Sequence, residues 1–171
     1  MMETSDYICS CKDHIKKVTI PAWEEYFMAM AFVASTRSKD SQTKHGCVIT
    51  DSKNRILGIG YNSFPVDMPD DILPNVRPKK YKWMVHAERN ALSNCSIRPE
   101  NGIAYITGKP CIDCAKSMYQ EGIRKFVCFD GHGTYLTDEE DGAMFDILTS
   151  YGKVKVSYIK PNFSEVLSVL K

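Results

Sequence analysis

Two short segments of the chain hold residues that can bind a metal and move a proton. Val85-His86-Ala87-Glu88-Arg89-Asn90-Ala91 offers an imidazole and, two residues on, a carboxylate. Thr107-Gly108-Lys109-Pro110-Cys111-Ile112-Asp113-Cys114-Ala115 offers two sulfurs. Zinc accepts imidazole nitrogen and thiolate sulfur; a structural site closes with four protein ligands, whereas a catalytic one keeps three and leaves the fourth position to water. His86, Cys111 and Cys114 fit the count of three. A Cys-x-x-Cys pair at the start of a helix aims both sulfurs at one ion, and the positive end of the helix dipole helps keep them ionised. Two thiolates cancel the charge of Zn2+, so water there needs a base to lose its proton. Glu88 is placed to accept it and to hand it on to a leaving group.

Other readings of the same residues are weaker. A thioredoxin-like redox pair at Cys111 and Cys114 leaves His86 and Glu88 without a role. A closed structural site needs a fourth ligand, for which Cys95 or Cys128 is available. Cys47, Cys95 and Cys128 stand in apolar stretches and read as small core residues. Cys9-Ser10-Cys11-Lys12-Asp13-His14 has loose ligand spacing for a second metal, near a chain end. Seven cysteines, an odd number in a chain large enough to fold without staples, argue against a disulfide framework.

The elements that must position these groups follow from periodicity. A helix is expected from Pro21 to Ser35, with Tyr26, Met30 and Val33 on one face. Cys47 to Thr50 and Ile56 to Tyr61 read as strands of a hairpin turned by Asp51-Ser52-Lys53-Asn54. A long loop runs from Asn62 to Tyr81. Thereafter helices at His86–Asn94, Cys111–Gln120 and Glu139–Tyr151 alternate with strands at Ile103–Thr107, Phe126–Phe129 and Val154–Ile159, and Gly122 reads as a helix cap. A hairpin followed by such alternation predicts a mixed sheet of about five strands with helices on both faces, a three-layer α/β/α fold. The 171 residues suit one domain, with residues 1–20 as an N-terminal extension. Twenty-two Lys and Arg against 21 Asp and Glu leave a net charge of +1, with no footprint for a long nucleic acid. The longest apolar run, Tyr26 to Ala34, is far short of a membrane span, and the polar start is no signal peptide; a soluble cytoplasmic protein is expected.

The order His-x-Glu, then Pro-Cys-x-x-Cys, matches the signature of zinc nucleobase deaminases. Three further segments sharpen the resemblance: Arg37-Ser38-Lys39-Asp40, Gly58-Ile59-Gly60-Tyr61-Asn62 and Asp70-Asp71-Ile72-Leu73-Pro74. From about Trp23 to Pro161 the chain resembles the deoxycytidylate deaminase family, within the cytidine deaminase superfamily. The resemblance implies hydrolysis of deoxycytidine monophosphate (dCMP) to deoxyuridine monophosphate (dUMP) and ammonia, supplying thymidylate synthesis. It further implies that Asn62 holds the deoxyribose hydroxyl, that Arg37, Ser38 and Lys39 line a phosphate pocket, and that Ala87, His132 and Tyr135 meet the substrate. Cationic donors and a hydroxyl do suit a phosphate dianion, although basic residues at a helix end also offset its dipole. Arg89 stands where many members have an apolar residue. Nucleoside deaminases with arginine there turn it on the zinc-bound thiolates, so a hydrogen bond from Arg89 to Cys111 or Cys114 is expected.

Many members are homohexamers activated by dCTP and inhibited by dTTP. This chain has Ser63-Phe64-Pro65-Val66-Asp67-Met68 where regulated members carry glycines, which leaves dCTP/dTTP regulation open. A homo-oligomer is expected, because the helix faces of so small a sheet leave apolar surface to cover. Rival functions are deamination of a base in RNA or single-stranded DNA, of a carbon-5-modified dCMP, and a catalytically idle zinc subunit. The first draws on the basic and aromatic run Lys79-Lys80-Tyr81-Lys82-Trp83, otherwise a solvated loop edge.

Overall fold

The expected hairpin is present in the computed structural model, which describes residues 20–131 and 139–168. Strands β1 (Gly46–Thr50) and β2 (Ile56–Tyr61) pair antiparallel. Their turn is built by Asp51, whose Oδ1 accepts the N–H groups of Lys53 and Arg55 at 2.8 and 2.9 Å, while Asn54 takes the left-handed φ of 62°. Strand β3 (Gly102–Ile106) pairs antiparallel with β1, and β4 (Ile123–Phe129) and β5 (Lys155–Ile159) follow in parallel, giving the order β2-β1-β3-β4-β5. Strand β4 begins earlier than its apolar run because two long cations within it find partners. Arg124 donates to the Tyr119 carbonyl at 2.8 Å, and Lys125 pairs with Glu24 at 2.6 Å.

The side chains of the sheet alternate between two cores. Cys47, Ile49, Ala104, Ile106, Phe126 and Cys128 face one way and Val48, Tyr105 and Val127 the other. The helices are α1 (Trp23–Ser35), α2 (Ala87–Ser93), α3 (Ile112–Gln120), α4 (Glu139–Tyr151) and α5 (Phe163–Ser168). Helix α1 covers the second face, with α5 against it through the Phe32–Phe163 ring contact at 5.0 Å. Helices α2, α3 and α4 cover the first. The three-layer fold is thus as expected, with α5 and a 3-10 turn at Lys79–Lys82 in addition.

The face shared by Tyr26, Met30 and Val33 is not the one that α1 buries. Phe27, Met28 and Ala31 are buried, whereas Val33 is 70% exposed and Tyr26 40%. The helix is apolar nearly all round, so spacing alone does not choose a face; Phe27 does, stacked on Trp23 at 5.5 Å and tilted against Tyr105 at 4.9 Å. Helix α3 ends as expected on Gly122, whose φ of +106° suits only glycine and lets its N–H reach the Tyr119 carbonyl at 3.0 Å.

Two close fits position the segments that matter. Helix α2 lies directly on β2: a Cβ at Gly60 would stand 2.2 Å from the Ala91 nitrogen and 2.4 Å from the Ala87 carbonyl oxygen. The long loop after β2 is bolted to the segment after α1 by a buried ion pair. Lys80, 2% exposed, places Nζ 2.6 Å from both oxygens of Asp40, itself 3% exposed. Lys80 is therefore no part of a solvated loop edge, as its basic neighbours had led one to expect. Outside the pair, Asn75 donates to the Lys39 carbonyl, Arg77 to Thr43 Oγ1, and Lys39 pairs with Asp70.

Gly60→Ala forces α2 off the sheet, and such overpacking costs about 1–3 kcal/mol, read as a lower Tm. Lys80→Met leaves a buried carboxylate unpaired, at about 3–5 kcal/mol, or roughly 10 °C in Tm at neutral pH. Burial alone would raise the Asp40 pKa, but Lys80 and the N–H groups of Gln42 and Thr43 hold it below its ordinary 3.8. The stability this supplies is present above the ordinary value and is lost as pH falls through the folded one. The Tm gap between wild type and Lys80→Met should therefore narrow as thermal scans move from pH 7 to below pH 4; a constant gap contradicts the pairing.

Candidate active site

Residues that cap helices are usually Ser, Thr, Asp or Asn, whose oxygens fold back on the first free N–H groups. At α2 and α3 the cap positions are instead held by His86 and Cys111, both in extended conformation (φ/ψ of −69°/153° and −66°/162°) and neither forming the usual side-chain cap hydrogen bond. Their side chains are free to turn outward. The two helix starts meet: His86 Nδ1 lies 3.5 Å from Cys111 Sγ and 3.4 Å from Cys114 Sγ. All three ligand atoms fall within 4.8 Å of one another, and among the described residues no other His, Cys, Asp or Glu joins them. Cys95 and Cys128, the candidates for a fourth ligand, stay in or against the core.

This donor set fits zinc. Ligands at about 2.3 Å for sulfur and about 2.0 Å for nitrogen, set tetrahedrally, stand roughly 3.6 Å apart, close to the separations between the imidazole and the sulfurs here. The protons tell the same story. Cys111 is drawn down to about 4 by the hydrogen bond from Cys114, with His86 adding to the effect against burial. Cys114 is pushed up by that same contact and by burial, since its ionisation would set two thiolates side by side. His86 is raised, chiefly by its contact with Cys111. A cluster that shares protons in this way is a cluster that a dication, with both helix dipoles behind it, can replace them in.

Glu88 lies one residue into α2, 6% exposed. Burial raises its pKa, with His86 pulling the other way. It is a carboxylate held close to the ligand cluster without joining it, which is where a proton carrier belongs. A cleft of about 490 Å³ opens on the cluster, lined by Pro65, Trp83, Met84, His86, Cys111 and Cys114. The loop into α3 is held on its other side by Lys109, whose ammonium sits 4.4 Å from the centre of the Phe145 ring.

The other expected residues are placed as follows. Ala87 is buried at the start of α2, and Asn62 is 4% exposed at the end of β2. Asn62 Nδ2 donates to the Thr43 carbonyl at 2.9 Å and to Asp40 Oδ2 at 3.2 Å, and Oδ1 accepts the His45 N–H at 2.7 Å. Ser38 is buried, its Oγ accepting the Asp40 N–H at 3.2 Å. Arg37 and Lys39 are exposed just beyond α1, the Arg37 N–H bonding the Ala34 carbonyl of its last turn at 3.0 Å. Arg89 lines the cleft but is exposed, and among the described residues it donates to neither sulfur; its expected hydrogen bond is not formed. His132, Tyr135, Cys9, Cys11 and His14 lie outside the described residues.

Two neighbours of the site went unread in the sequence. The imidazole of His45 has Nδ1 3.3 Å from Thr107 Oγ1, and its Cε1 would meet a Cβ at Gly108 at 3.2 Å, so the loop that carries Cys111 is shaped around it. Lys80 serves Asp40 from forty residues away. Neither signal is local; only the pairing of distant segments reveals them.

The cytidine and deoxycytidylate deaminase zinc-binding region matches residues 21–130. The chain is 40% identical to the deoxycytidylate deaminase of Homo sapiens over 125 residues, 69% of this chain and 68% of that protein. It is 32% identical to that of Mus musculus over 170 residues, 95% of this chain and 91% of the other. Among solved structures, the apo form of a dCMP deaminase from the cyanophage S-TIM5 superposes with a TM-score of 0.63 at 25% identity, covering 82% of this chain and 100% of that one. A ligand cluster of two helix caps, a buried carboxylate behind it and relatives along nearly the whole length agree: the chain belongs to the cytidine and deoxycytidylate deaminase family, with the deoxycytidylate deaminases.

Proposed function

We propose that this protein hydrolyses dCMP to dUMP and ammonia. The observation that carries the reading is the meeting of His86, Cys111 and Cys114 beside a buried Glu88. Relatives named deoxycytidylate deaminase supply the substrate, and a cyanophage dCMP deaminase was solved with dCMP and dUMP. His86, Cys111 and Cys114 would hold zinc, which would supply Lewis acidity and an acidified water. Glu88 takes a proton from the attacking water and gives it to ring nitrogen 3 of cytosine as carbon 4 is attacked. It then moves a proton to the exocyclic amino group, which leaves as ammonia. Burial suits Glu88 to both halves of this work, because a carboxyl with a raised pKa gives and takes protons closer to neutral pH.

At the far end of the nucleotide, Asn62 Oδ1 keeps a lone pair for the deoxyribose hydroxyl, and Arg37, Ser38 and Lys39 receive the phosphate. The family resemblance also assigns His132 and Tyr135 to the substrate, and Ala87 lies beside it. The full chain acts as one deaminase domain with one zinc, as a cytoplasmic homo-oligomer. The free state of all five described cysteines suits a reducing compartment, and exposed Trp23, Val33, Ile72 and Tyr151 offer apolar surface for self-association. A second reading, deamination of a base in a single strand, has one observation in its favour: Trp83 and Lys82 line the cleft beside His86.

The deciding experiment follows the loss of ultraviolet absorbance with dCMP, deoxycytidine, the triphosphate and a cytosine-containing single strand in parallel. Turnover of dCMP above the others is expected, and activity on the strand alone overturns the reading. Glu88→Gln should keep zinc and bind dCMP while kcat falls about 10²- to 10⁴-fold. Prolonged chelation should abolish turnover and lower Tm, and added zinc should restore both; activity that survives complete metal removal refutes the metal's role.

A further inference from the structure

The Asp40 carboxylate sits among more donors than a fold needs to hold one loop. Lys80 Nζ reaches both oxygens at 2.6 Å. Oδ1 also accepts the N–H groups of Gln42 at 2.8 Å and Thr43 at 3.0 Å, and Oδ2 accepts Asn62 Nδ2 at 3.2 Å. Every partner is a donor, so both oxygens must be acceptors, which only the ionised carboxylate supplies. The arrangement decides which way the Asn62 amide faces. With Nδ2 held by Asp40 and the Thr43 carbonyl, Oδ1 is left to face the His45 N–H at 2.7 Å and whatever lies beyond.

Lys80 ties this setting to the metal end. Its carbonyl accepts the N–H groups of Trp83 and Met84 at 3.0 and 2.9 Å, and the next residue, Val85, exchanges backbone hydrogen bonds with Ser63 at 2.7 and 3.1 Å. His86 follows directly. One buried ion pair thus joins the segment bearing Ser38, the strand end bearing Asn62 and the chain entering the ligand cluster. Replacing a buried pair by apolar groups of like size often leaves stability unchanged or improved, so stability alone does not call for charges at this place.

We infer that the buried Asp40–Lys80 pair is a positioning device that fixes the Asn62 carboxamide with its oxygen toward the sugar of the nucleotide. The inference rests on the reading above that Asn62 meets the deoxyribose hydroxyl. A hydroxyl donates to Oδ1 in the set orientation; in the turned one it would meet an NH2 group and could only accept. In Asp40→Asn neither orientation of the new amide serves, because its NH2 faces either Asn62 Nδ2 or the Gln42 and Thr43 N–H groups.

The test uses the neutral pair Asp40→Asn/Lys80→Met, which leaves no unpaired buried charge, together with Asn62→Ala and the triple variant, all zinc-loaded and assayed on dCMP. The expected result is a KM raised at least tenfold in the neutral pair with kcat within about twofold, zinc content unchanged, and no further rise in the triple variant over Asn62→Ala. A neutral pair with wild-type KM, whatever its Tm, beside a defective Asn62→Ala overturns the positioning role and spares the sugar contact. Effects that multiply in the triple variant overturn it as well. Asn62→Ala with wild-type KM overturns the sugar contact, and the inference with it. A structural role alone would lower Tm and leave the ratio of KM to kcat where it was.

Discussion

Two helix N-termini are brought to one point, and the rest of the molecule can be understood as what that convergence requires. Each helix start carries a ligand at its cap, so neither can satisfy its own first N–H groups in the ordinary way. What the helices lose in capping they return as two positive dipole ends facing two sulfurs. The arrangement is stable only if both helices are held from behind, because a thiolate pair and an imidazole do not by themselves pull two helices together. The sheet does this. Helix α2 rests on β2 at backbone contact through Gly60 and Gly58, and α3 buries Ile112, Ala115 and Met118 against the core that β1, β3 and β4 present.

The segment after α1 and the end of β2 obey a different constraint. Metal ligands are fixed by packing of helix on sheet, a dense contact of small apolar groups that few displacements survive. Asn62, Ser38 and the segment to His45 are instead fixed by hydrogen bonds to a single carboxylate and its lysine, both removed from water. In low dielectric such bonds are strong and strongly directional, so a polar network can hold a loop nearly as firmly as packing holds a helix. The cost is that every member must be satisfied, which is why the donors around Asp40 converge so completely on its two oxygens.

How much of this was legible in the sequence follows from the same contrast. The grouping of His86, Cys111 and Cys114 could be read because ligand chemistry restricts residue type and helical spacing sets two of them three apart. The hairpin, the cap at Gly122 and the three-layer order could be read because each rests on local turn chemistry or on period-two alternation. The inner face of α1 could not be read, since a helix apolar nearly all round carries no periodic contrast and the choice belongs to Tyr105 across the layer. Strand β4 was read short because Arg124 and Lys125 look foreign to a strand until Tyr119 and Glu24 are seen beside them. Lys80 was read as surface because nothing within ten residues of it shows the carboxylate that takes it inside.

These errors share a direction: local composition was trusted where a distant partner decides. The same holds for Arg89, whose neighbourhood in sequence places it by the thiolates while the structure leaves it exposed in the cleft. Cys114 is pushed up by its contact with Cys111 and by burial, and the Arg89 guanidinium, one turn from the cap, opposes this only weakly and through space. The charge of the two sulfurs is then left chiefly to the helix dipoles and to a cation that the cluster could hold. Beside the cluster, burial raises the Glu88 pKa, so that its carboxyl holds a proton more readily than an exposed one.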